Sequence, residues 1–351
     1  MTDHPPPPQR WVRPNLDEPG RWRGQLPNKV LALAVRGDLP ALRQLLRVHP
    51  EFLNNGGNHG RSLLWEAARR GHLPVVKWLV EQGAALEATG CYNSESLVQL
   101  TPYCAAVYYR RAEVAAYLLA RGAQLDIFRA AFLGNQARVA RALAADPSLL
   151  QAEDPFDVIY FVPLLAFAIA GGQAGLAEWL LARGAAAGPY SAQLLHLAAR
   201  QGRLDLVELL VAHGADPRAA DSGIFVSAAD MDILRYLLEH GTSATRAGIS
   251  RFPPLIFVAR GDKGENPQKA QLLLDWGAPV NEIGPRGRTA LHYAAAAGHV
   301  ALMRLLLAHG ADVSLTDETG ATALNLARAR GRTAAVQLLK LASKGGSAAT
   351  L

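Results

Sequence analysis

The sequence predicts an all-α protein, a solenoid of stacked helix-turn-helix pairs with short projecting turns, on three observations. Thr289-Ala-Leu-His-Tyr-Ala-Ala-Ala-Ala-Gly298 returns as Thr322-Ala-Leu-Asn-Leu-Ala-Arg-Ala-Arg-Gly331 at a spacing of 33 residues, and the segments ending at Gly71 and Gly202 fit the same frame. Twelve residues after such a closing position comes a second signature, at Gly83, Gly122, Gly184, Gly214, Gly241, Gly277 and Gly310, six of them followed by Ala. The chain of 351 residues is 50% hydrophobic, only 19% charged and 7% aromatic, which fits an ordered protein whose core is built from small and aliphatic side chains.

Each element of the repeat has a local cause. Thr101-Pro102 places a hydroxyl cap before a proline at the first helical position, where the missing N–H costs nothing, so a helix starts there. Ala294 and Ala295, like Ala67, Ala68, Ala198 and Ala199, are small where a neighbouring helix must come close. Gly298 then reverses the chain through a positive φ. In the second helix Leu302, Leu305 and Leu306 recur at helical spacing and form one buried stripe, and Gly310 closes its carboxyl end. A single pair cannot bury its apolar faces, whereas stacked pairs share one core. The expected product is one curved solenoid, with turn tips and first helices lining its concave side.

At these residues the chain resembles the ankyrin repeat family, whose Thr-Pro-Leu-His-x-Ala-Ala…Gly…Leu-Leu-x-x-Gly-Ala pattern runs from Asn28 to Ala342 in ten units. They start near Asn28, Ser62, Thr101, Leu125, Val162, Gln193, Ser222, Pro253, Thr289 and Thr322. Residues 1–27 hold seven of the 21 prolines together with Trp11 and Trp22, and read as a disordered arm that is either a short recognition motif or a cap packed on the first unit. Residues 28–124 and 125–342 form two continuous sub-arrays expected to meet at a bend, and residues 343–351 form a flexible tail.

Departures from the frame carry more information than the frame. The third-to-fourth spacing falls to 24 residues, leaving no room for a projecting turn before Ile127. The first and fourth units end their second helices in His49-Pro50 and Asp146-Pro147 where others carry Gly-Ala. The second-to-third and fourth-to-fifth spacings grow to 39 and 37 through insertions containing Tyr92 and Asp154-Pro-Phe-Asp-Val-Ile-Tyr-Phe161. Such loops are either drifted surface or binding fingers. Three extra residues enter the hinge of the eighth unit, and the seventh loses about two from its first helix. The two residues before each hinge glycine vary and are expected in the groove: Arg69 and Arg70, Tyr108 and Tyr109, Phe132 and Leu133, Arg200 and Gln201. Tyr108-Tyr109-Arg110-Arg111 is the most binding-like cluster, with Arg110 in the usual place of glycine.

Charge narrows the partner. The net +6 resolves into basic ends around residues 62–321, which hold 22 basic and 25 acidic side chains, so no continuous cationic groove for nucleic acid is expected. Two cysteines make no disulfide scaffold, and His196 and His292 sit where the family's histidine bonds between adjacent turns. No catalytic or metal motif interrupts the frame, so no enzyme activity, cofactor or metal is expected. The amino terminus lacks an apolar signal and no stretch is long enough for a bilayer, so a cytoplasmic, monomeric protein is expected.

The resemblance implies a non-catalytic module that binds another protein through its groove and finger loops. The candidate contacts are Trp65, Arg69, Tyr92, Tyr108, Tyr109, Arg110, Tyr160, Phe161 and Phe252. A regulatory or inhibitory subunit of an enzyme or toxin, or an effector acting on a host-cell protein, would use the same surface.

Overall fold

In a computed structural model, the described residues are 26–344 apart from 55–60, 92–97, 155–161, 248–250 and 262–263. They form two units, one ending at Leu125 and the other beginning at Asp126. The described residues form twenty α-helices joined by short connections, as expected for an all-α repeat solenoid.

The first unit contains α1 (Leu26–Arg36) and α2 (Leu39–Val48), α3 (Leu63–Arg70) and α4 (Leu73–Glu81), then α5 (Pro102–Tyr108) and α6 (Ala112–Ala120). Its first helices pack in the series α1, α3, α5. Between α4 and α5 a two-residue antiparallel hairpin pairs Gly90 with Leu100 and Cys91 with Gln99, at the base of the insertion. Caps start the helices as the sequence indicates: Ser62 accepts from the Trp65 N–H at 3.1 Å and Thr101 from the Cys104 N–H at 3.2 Å, each contact being worth about 1 kcal/mol.

The second unit opens with a short pair, α7 (Ile127–Phe132) and α8 (Gln136–Ala145), followed by α9 (Leu164–Ala170) and α10 (Ala174–Leu181). Next come α11 (Ser191–Arg200) and α12 (Leu204–Ala212), α13 (Gly223–Ser227) and α14 (Met231–Glu239), then α15 (Pro254–Arg260) and α16 (Pro267–Asp275). The last pairs are α17 (Ala290–Ala297) with α18 (Val300–Ala308), and α19 (Ala323–Ala329) with α20 (Thr333–Ala342). Every odd-numbered helix from α7 to α19 packs on the next. The residues lost from the seventh repeat leave α13 only five residues long. The two Pro-terminated second helices, α2 and α8, run into 3-10 turns at Pro50–Phe52 and Pro147–Gln151.

The sequence frame is met closely in α17 and α18. Ala294 and Ala295 are fully buried, and Gly298 has φ 85°. The buried stripe of α18 is Leu302, Met303 and Leu306, with Leu305 half-buried, because the helix turns Met303 further inward than its neighbours suggest. Gly310 has φ 83°, which permits the left-handed cap.

Successive hinges are tied by a recurring bond. The side chain just after a hinge reaches back to a carbonyl at the end of the preceding first helix: the His72 ring to the Val35 oxygen at 2.9 Å, Arg111 Nε to Arg69 O at 3.1 Å, and Arg332 Nε to Ala296 O at 3.3 Å. The last carbonyls of a helix lack intrahelical partners, so at these three hinges the following repeat completes its predecessor.

Candidate functional site

The Ser62 cap sets the rotation of α3 and so places Trp65, Glu66 and Arg69 (Overall fold above). Trp65 points inward: it is 0% exposed, and its indole N–H donates to the Leu100 carbonyl at 2.9 Å. The strand residue Gly90 lies on the same ring, since a Cβ there would come within 3.2 Å of Trp65 and of Arg61. A side chain there would require the ring or Arg61 to yield by a few tenths of an ångström.

Glu66 is a buried carboxylate held by two guanidinium groups. Arg69 donates to it from Nη2 at 2.7 Å and from Nε at 3.0 Å, and Arg61 from Nη1 at 3.3 Å. Both guanidinium carbons stand over the Trp65 ring, at 5.3 Å for Arg61 and 5.6 Å for Arg69. Pairing and hydrogen bonding offset the cost of burying the carboxylate, and the cluster keeps one net positive charge.

That platform carries the tyrosines. The Arg69 guanidinium lies 5.5 Å from the Tyr109 ring, and Tyr109 meets Tyr108 edge-on at 5.0 Å and 83°. Tyr108 is 42% exposed, one of few large hydrophobic side chains so open to solvent. Arg110 follows with φ 58°, a left-handed backbone that glycine adopts without strain and arginine does not. The replacement of glycine noted in the sequence therefore places an exposed cation at a strained hinge beside an aromatic pair of which Tyr108 is exposed and Tyr109 half-buried.

Of the nine contacts expected from sequence, four come together here: Arg69, Tyr108, Tyr109 and Arg110. Trp65 is a correction, because its ring and N–H are spent inside the unit and support the platform from behind. Tyr92, Tyr160 and Phe161 lie outside the described residues. Phe252 belongs to the second unit, half-buried in another aromatic group: it stacks on Phe257 at 6.0 Å, meets Tyr293 edge-on at 5.8 Å and lies under the Arg260 guanidinium at 4.9 Å.

The groove expectation for the residues before each hinge also needs correction at two places. Phe132 is fully buried at the end of α7, and Gln201 donates to the Ile169 and Ala170 carbonyls at 2.7 and 3.0 Å. Sequence reasoning missed Arg61 and Glu66 altogether. Their only signal was a carboxylate flanked by arginines five residues before and three after.

His292 Nδ1 accepts from the Thr289 N–H at 3.3 Å, which places the ring proton on Nε2, facing the Ala321 oxygen at 3.2 Å. Burial lowers its pKa below the ordinary histidine value. This is the inter-turn role expected of it. Among the described residues no group of three or more His, Cys, Asp or Glu side chains is placed to hold a metal ion, and no helix is long and apolar enough to cross a membrane.

A family model described as ankyrin repeats in three copies matches residues 30–129, 165–248 and 255–347. Among curated proteins the chain is similar to the Danio rerio protein ZDHHC13, which carries the name of a palmitoyltransferase, with 31% identity over 150 residues, 40% of this chain and 23% of that protein. It is also similar to a Caenorhabditis elegans homologue of the transient receptor potential cation channel subfamily A member 1, with 35% identity over 114 residues, 30% of this chain and 9% of that protein. The chain thus spans less than a quarter of the length of either relative.

Proposed function

The chain belongs to the ankyrin repeat family, whose members serve generally as protein-protein interaction modules, and on that premise we propose that it is a non-catalytic module binding another protein. The contact surface is the hinge side of α3 and α5, built from Arg69, Tyr108, Tyr109 and Arg110. The observation that carries this reading is the exposed Tyr108 held edge-on by a half-buried Tyr109, which packs on an arginine that a buried glutamate immobilises (distances above). Rigid aromatic side chains lose little freedom on binding, and Tyr and Arg are enriched where binding energy concentrates. Phe252 in the second unit is a further contact, its ring half-exposed beside Arg260. The similarity to a protein named as a palmitoyltransferase lies in the ankyrin region alone and carries no enzyme signal.

The test is capture of partner from the native source by the full chain and by Y108A/Y109A. Loss of a specific partner from the variant, with unchanged circular dichroism and unfolding midpoint, supports the reading. Equal capture removes this surface.

A further inference from the structure

The hinge edge of the first unit carries a cation in each of its three repeats. Arg36 ends α1, Arg70 ends α3 and Arg110 follows α5; all three are exposed, and none forms an ion pair among the described residues. The hinges are held side by side by the His72–Val35 and Arg111–Arg69 bonds. Of the acids close to the row in sequence, Asp38 caps α2 and accepts from the Ala41 N–H at 3.1 Å, Glu66 is already taken up by two arginines, and Glu113 lies in the first turn of α6. The charge is also unevenly shared along the chain. Residues 29–125 hold eleven Lys and Arg against seven Asp and Glu, whereas residues 126–321 hold sixteen against twenty.

We propose that this edge docks an extended acidic segment of the partner protein, with a carboxylate at about every third residue. The proposal rests on the protein-binding reading above and adds the chemistry of the partner. Neighbouring helices pack about 8–10 Å apart, and an extended polyproline-II chain advances about 3.1 Å per residue with three residues per turn, so roughly three residues cross one repeat and every third side chain faces the row. The planar fork of arginine matches a carboxylate bidentately, and the Tyr108–Tyr109 pair receives the side chains between the acids. A nucleic-acid strand fits the row poorly. It advances one phosphate per about 3.4 Å of duplex rise, so one cation per repeat would leave about two phosphates in three unmet.

The experiment is selection of displayed random peptides on the full chain, in parallel on wild type, R70E/R110E and Y108A/Y109A, each checked by circular dichroism. Wild type should enrich peptides with Asp or Glu at i, i+3 and i+6, and R70E/R110E should lose about tenfold or more of that recovery. R36E/R70E serves if the first charge reversal fails to fold. A synthetic copy of an enriched peptide should bind several-fold more weakly as salt rises from about 50 to about 200 mM, as rim charge pairs do. Enrichment of non-acidic peptides that still require Tyr108 and Tyr109 overturns the acidic partner and leaves the binding module standing. Recovery indifferent to both variants overturns both at this surface. Binding of a short oligothymidylate more tightly than every selected acidic peptide also overturns the proposal.

Discussion

Arg129 and Asp154 form a bidentate ion pair, Nη1 to Oδ1 and Nη2 to Oδ2 each at 2.8 Å, with side chains 0% and 1% exposed. The guanidinium also stands 5.1 Å from the Phe167 ring and 3.3 Å from Asp126. Arg129 lies in α7 of the fourth repeat, and Asp154 is the first residue of the insertion that follows it. Removing one partner strands the other charge in the core, so D154A should cost about 3–5 kcal/mol, while R129M/D154L should recover most of the loss. Denaturant unfolding of the two variants checks this.

Two glycines of the fifth repeat should respond oppositely to alanine. A Cβ at Gly171 would stand 1.9 Å from the Phe132 carbonyl oxygen, a backbone atom that cannot turn aside. Gly175, inside α10, has nothing within 4 Å of the corresponding position. G171A should therefore destabilise by about 1–3 kcal/mol, and G175A should stabilise by about 0.5–1 kcal/mol through helix propensity. Thermal unfolding distinguishes them.

Arg110 trades stability for its position. With φ 58° it holds a conformation that costs a non-glycine residue about 1 kcal/mol or more. R110G should raise the unfolding midpoint and weaken partner capture together. A rise in stability with unchanged capture would remove Arg110 from the contact surface.

His292 predicts a pH dependence whose sign follows from its burial. Its folded pKa lies below the unfolded value of about 6.5, so its contribution is present above that pH and lost as pH falls through it toward the folded pKa. In the last repeat Asn325 occupies the equivalent place and accepts from the Thr322 N–H at 3.0 Å without titrating. H292N should keep the capping box and flatten the fall in stability between pH 7 and pH 5, as measured by urea unfolding at both.

The repeat frame was legible because glycine, alanine and cap residues act through local backbone geometry, which the sequence states directly. Thr101, Gly298 and Gly310 do what their types predict. Side-chain direction was less legible. Trp65 and Tyr108 both sit on first helices, and the choice between core and solvent follows from a hydrogen bond to Leu100, 35 residues away. The Arg129–Asp154 pair was hidden for the same reason, since its partners are 25 residues apart. Arg110 was found only because it broke the frame at a glycine position, and Glu66 escaped because its position varies freely among the repeats.

The α3–α5 hinge surface is the proposed meeting place with the partner. It is tested most directly by incorporating a photoreactive phenylalanine analogue at Tyr108 or at Trp276, aromatic side chains with similar exposures of 42% and 44% in different units. Irradiation in the native source should give a discrete adduct from position 108 and none from position 276. An adduct from position 276 with none from position 108 would contradict the account.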